Sequence, residues 1–117
     1  MRRILLGLVF MLWASAASAH AFLDHAMPPV GATLAASPPM LRLFFTEDVE
    51  PLFSGVEIAT VGGGPVKTGP AIVDAHNRAA LLVSLPPLAP GRYRVSWHVV
   101  SVDTHRTEGS YEFTIQP

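Results

Sequence analysis

The 117-residue chain has no cysteine. Disulfide bonds and thiolate metal ligands are therefore excluded, and the fold must be held by its core alone. Charge is sparse at 15% of residues, with eight basic against nine acidic side chains. That balance supplies no basic patch of the kind nucleic-acid binding depends on. Methionine is scarce as well. Met1 and Met11 lie in the opening segment, and only Met27 and Met40 follow it, so a clustered thioether site for a soft metal ion is not expected. Helical periodicity is missing: beyond the opening segment, no window keeps apolar residues three and four apart between proline and glycine breakers. Long apolar runs are missing too, except over residues 4–13, and that run is shorter than the roughly 20 residues of a permanent membrane span.

What is present divides the chain in two. Arg2 and Arg3 precede the apolar run, and Ala17-Ser18-Ala19 follows it as a small-x-small cleavage site. This is the three-part grammar of a secretory signal peptide. Residues 1–19 are read as that signal, with an uncleaved anchor as the alternative. Residues 20–117 are read as one β domain, released into the periplasm, not embedded in a membrane, and monomeric. Cleavage after Ala19 makes His20 the first residue.

The remainder reads as short strands. Residues 20–25 offer a first strand, ended by Pro28-Pro29. Leu41, Leu43 and Phe45 alternate with polar positions over 40–45, and Val56 and Ile58 do so over 55–61. A short edge strand fits 71–73, and Leu81, Val83 and Leu85 share one face over 79–85. The longest strand, 92–102, carries Tyr93, Val95, Trp97 and Val99 on one face. The last, 109–116, carries Tyr111, Phe113 and Ile115. Residues 34–39, the acidic stretch 46–51 and Gly62-Gly63-Gly64-Pro65 are read as connections. About seven strands punctuated by eleven prolines and nine glycines predict an all-β sandwich or barrel.

The longest strand runs into a polar corner, Asp103-Thr104-His105. On an extended backbone, residues two apart share a face, which would set a carboxylate beside an imidazole. Two ligands are half a site, and Asp103 also suits a turn cap. An N-terminal His20 would supply the other half, because its α-amine and ring Nδ1 close one chelate. The α-amine pKa of about 8 lets a metal displace its proton near neutral pH. Three nitrogens and one carboxylate oxygen, from His20, His105 and Asp103, favour Cu(II) over zinc or the alkaline-earth ions, at one ion per chain. The other histidines have plainer readings. His76 lies in a turn, His98 has the solvent-facing parity opposite Trp97, and His25 is near enough to the N-terminus to compete for metal.

The chain resembles the CopC-type periplasmic copper-binding proteins over essentially all of residues 20–117. The resemblance rests on His20-Ala21-Phe22-Leu23 with Pro28-Pro29-Val30-Gly31-Ala32, on Leu43-Phe44-Phe45-Thr46-Glu47, and on Pro90-Gly91-Arg92-Tyr93-Arg94-Val95-Ser96-Trp97-His98-Val99-Val100-Ser101. It ends with Asp103-Thr104-His105, Gly109-Ser110 and Phe113. It implies a Greek-key β-sandwich or barrel, immunoglobulin-like and cupredoxin-like in outline, holding one Cu(II). It also implies His20, Asp103 and His105 as ligands, Glu47 close behind them, and a role in copper sequestration or delivery beside a CopD-type inner-membrane transporter. Glu47 has a plainer reading too, as one of several acidic residues solvating their loop. The chain departs from the pattern at Thr104, where the family has glycine, and at Ala26, where serine is common. It has no methionine over 61–70, where some members carry a Cu(I) loop. Thr104 is harmless on an extended backbone and costly at positive φ. Two further functions fit part of the pattern. One is an oxidative copper enzyme with a histidine brace, as in lytic polysaccharide monooxygenases. The other is a metal-free sandwich domain for protein contacts.

Overall fold

The computed structural model describes residues 21–117. The signal-peptide reading and His20 lie outside the described residues. Among the described residues there are nine strands and one 3-10 turn, Pro51–Phe53. The strands are β1 (Leu23–Met27), β2 (Thr33–Leu34), β3 (Met40–Phe45), β4 (Gly55–Thr60) and β5 (Pro65–Val66). They continue with β6 (Ile72–Asp74), β7 (Asn77–Ser84), β8 (Gly91–Val100) and β9 (Arg106–Ile115). One sheet has the order β1-β3-β7-β6 and the other β2-β9-β8-β4-β5. The chain changes sheet repeatedly, so both faces of the sandwich fill from distant parts of the sequence, as an all-β sandwich requires.

The alternating apolar residues meet between the sheets. Leu41, Leu43, Phe45, Leu81 and Val83 come from one side; Tyr93, Val95, Trp97, Val99, Tyr111, Phe113 and Ile115 come from the other. The Phe45 and Trp97 rings meet edge to face at 5.2 Å, and Tyr93 stacks on Phe113 at 5.6 Å. Each such side chain removed from water contributes roughly 1.5–3 kcal/mol. That suffices for a cysteine-free fold of this size.

Several boundaries differ from the sequence reading. The first strand begins at Leu23, because Phe22 exchanges hydrogen bonds with Thr46 instead of joining the ladder: its N–H reaches Thr46 Oγ1 at 3.0 Å and its carbonyl accepts from Thr46 N–H at 2.9 Å. Strands β2 and β5 are two residues long, too short to show alternation. β2 adds to the sheet edge parallel to β9, and β5 pairs with β4. β8 stops at Val100 and β9 begins at Arg106, paired in unbroken register from Val100↔Arg106 to Gly91↔Ile115. The early part of β9 escapes the apolar pattern because its inward positions are Thr107 and Gly109. Gly109 is required there, since a Cβ would fall 2.6 Å from Trp97 Cζ2.

Candidate functional site

The five residues between β8 and β9 form the polar corner. Thr104 N–H donates to the Ser101 carbonyl at 2.8 Å, and Ser101 N–H donates to the His105 carbonyl at 2.9 Å. This is the bond pattern of a three-residue hairpin loop whose last loop residue takes the left-handed conformation. Thr104 is that residue, with φ of 73°. The seat suits glycine, and a β-branched residue occupies it at a cost. Thr104 therefore falls on the strained side of the two possibilities.

Asp103 and His105 do come together: His105 Nδ1 lies 3.1 Å from Asp103 Oδ2. The loop brings this about, not an extended strand, since residues 101–105 lie beyond the end of β8. Ser101 is the hub of the corner. Its side chain is buried, its hydroxyl donates to Asp103 Oδ1, and it accepts from His105 N–H at 3.3 Å. The Ser101 hydrogen bond, followed by the smaller contributions of His105, holds the Asp103 carboxyl below its ordinary value, against a partly opposing desolvation. Ser101 carries no charge or metal-binding chemistry that marks it in the sequence. The signal was its parity: it continues the inward series Tyr93, Val95, Trp97, Val99, and a polar side chain at an inward position needs a partner.

Two other segments join the corner, making three in all. Val49 bridges to Ser101, Val102 N–H donates to the Asp48 carbonyl at 3.2 Å, and Glu50 N–H donates to the Val100 carbonyl at 2.7 Å. The acidic loop carrying Glu47 therefore runs alongside the corner, with Glu47 itself exposed. From the third segment, buried Ala21 accepts a hydrogen bond from the Thr107 hydroxyl through its carbonyl. Among the described residues, no group of three or more His, Cys, Asp or Glu side chains is arranged to hold a metal. The Asp103–His105 pair needs donors from elsewhere.

The remaining histidines stand apart. His25 stacks on Phe44 at 4.3 Å and its Nδ1 lies 2.7 Å from Asp24 Oδ2. His76 sits in a turn closed by its own N–H on Asp74 Oδ1 at 2.8 Å. His98 is half-buried with its ring over Gly55, where a Cβ would lie 2.7 Å from His98 Cε1. Met27 and Met40 line a common groove, because the Met27↔Arg42 register sets Met27 diagonal to Met40 on one face. Arg42 lines that groove too, and its cation disfavours a metal ion there.

The sandwich and the hairpin corner match a known domain. The sequence profile of the CopC domain matches residues 23–116. The chain belongs to the CopC family. Within and around that family, it is 42% identical over 99 residues to Protein YobA of Escherichia coli K12, covering 84% of this chain and 80% of that one. It is 31% identical over 122 residues to Copper resistance protein C of Escherichia coli, covering 98% and 96% of the two chains. The crystal structure of CopC from Methylosinus trichosporium OB3b superposes with a TM-score of 0.79 at 39% identity, covering 84% of this chain and 95% of that one. The sandwich is that of the CopC structure.

Proposed function

We propose that this protein is a Cu(II) carrier or buffer of copper homeostasis or resistance, exported by removal of residues 1–19 and acting in the periplasm. Its single site is built from the His20 α-amine and ring, the His105 imidazole, and Asp103 as the weaker oxygen donor, with Glu47 behind them. It binds and transfers copper and catalyses no reaction, and a CopD-type inner-membrane transporter is the natural exchange partner. Membership of a family that includes copper resistance proteins supports copper as the cargo.

The observation that carries the site is the tie between Ala21 and Thr107. Position 20 is one peptide unit from Ala21, about 3.8 Å between Cα atoms, and Thr107 is two residues from His105. His20 is joined directly to Ala21, and this tie beside the strand that leads from His105 supports His20 as the source of the missing donors. The donor set also suits the ion. Imidazole and amine nitrogens with one carboxylate match Cu(II), and no cysteine competes for Cu(I).

Isothermal titration of the processed protein with Cu(II) tests this directly. One tight equivalent is expected, and His105→Ala should weaken it at least tenfold. A His105→Ala variant that binds as well as the parent would remove His105 from the site.

A further inference from the structure

Ser101 has one hydroxyl proton and two acceptors within reach, Asp103 Oδ1 and the His105 carbonyl at 3.2 Å. The charged carboxylate is the stronger acceptor and the closer one, so it takes the proton. Ser101 is only 1% exposed, which keeps water from competing for that bond. With Oδ1 held by Ser101, Oδ2 is turned to His105 Nδ1 at 3.1 Å. A carboxylate can only accept, so Nδ1 must carry the hydrogen. A second hydrogen bond fixes the same geometry from the backbone side, from His105 N–H to Ser101 Oγ at 3.3 Å.

We propose that Ser101 is the positioning residue of the metal site. Through Asp103 it sets the tautomer and orientation of His105, so that His105 meets the metal with Nε2. This rests on the copper reading above and deepens it, because Asp103 remains the weaker donor to the ion and also orients His105. Carboxylate partners of metal-bound histidines raise ligand basicity and fix ring orientation in this manner. The chain Ser101–Asp103–His105 adds a buried anchor behind the carboxylate.

The test has two arms. Long-range proton–nitrogen NMR of the metal-free protein reads the His105 tautomer without copper and without a variant. Protonation at Nδ1 is expected in the neutral ring, and a predominantly Nε2-protonated ring overturns the proposal. In the second arm, Ser101→Ala is first shown to be folded by its NMR dispersion. It should then lose the Nδ1 preference, weaken Cu(II) binding about 10–100-fold, and change the nitrogen couplings in the Cu(II) electron paramagnetic resonance spectrum. A folded Ser101→Ala protein with unchanged tautomer, affinity and spectrum overturns it equally. If the parent protein binds no copper at all, the carrier reading fails, while the tautomer measurement still decides the role of Ser101.

Discussion

Replacing Thr104 by glycine should stabilise the protein. Thr104 holds φ at 73°, where an L-residue pays about 1–2 kcal/mol, with β-branching toward the upper end. Glycine removes that strain and adds unfolded-state entropy worth about 0.5–1 kcal/mol. The Thr104 hydroxyl also donates to the Asp103 carbonyl at an exposed position, where water can replace it. The difference is a net gain of about 0.5–1 kcal/mol. For a domain of this size that raises the melting temperature by about 2–8 °C. Thermal unfolding of metal-free parent and Thr104→Gly proteins, followed by circular dichroism, measures it. Thr104→Val keeps the branching and lacks the hydroxyl, so it should melt close to the parent. A Thr104→Gly protein that melts at or below the parent would refute the strained-loop argument. A large loss in Thr104→Val would show that the hydroxyl, not the backbone, governs the position.

Three further outcomes are expected. Gly109→Ala should lose about 1–3 kcal/mol in urea unfolding, because its Cβ would press on the Trp97 ring at 2.6 Å; a neutral effect would mean that the ring yields freely. The Tyr111 hydroxyl is buried with no hydrogen-bond partner among the described residues, and burial pushes its pKa up. Tyr111→Phe should therefore be as stable as the parent or up to about 1 kcal/mol more so, and a clear loss would reveal a partner for the hydroxyl. The Asp103 carboxyl titrates below its ordinary 3.8 in the fold, so it stabilises the protein above that value and the contribution fades as pH falls through the folded value. The stability gap between parent and Asp103→Asn should be present at neutral pH and narrow below pH 3.8; a gap that widens on acidification would contradict the assignment.

The sandwich was legible wherever inward positions are apolar. Leu41, Leu43 and Phe45, or Tyr93 through Val99, announce their faces by alternation, and the structure buries them as read. Two kinds of element stayed hidden. Strands β2 and β5 have two residues each, and no period can be read from two positions. The start of β9 was hidden because its inward residues, Thr107 and Gly109, are chosen for contacts with Ala21 and Trp97, not for hydrophobicity. At the corner, Asp103 and His105 were legible as a pair, though for a different reason. The sequence shows their spacing, while the hairpin loop that joins them depends on the β8–β9 register, which is a tertiary fact. Ser101 and Thr107, which hold the corner and the N-terminal segment, carry neither charge nor metal-binding chemistry and so drew no attention.

The proposed copper site turns on a free amine at position 20. The most direct measurement compares Cu(II) affinity of the protein beginning at His20 with that of the same protein carrying one extra residue ahead of it. The extra residue turns the α-amine into an amide and removes one arm of the chelate while leaving Asp103, His105 and the sandwich intact. One tight equivalent is expected for the first protein, and binding weaker by orders of magnitude for the second. Equal, tight binding by both would contradict it.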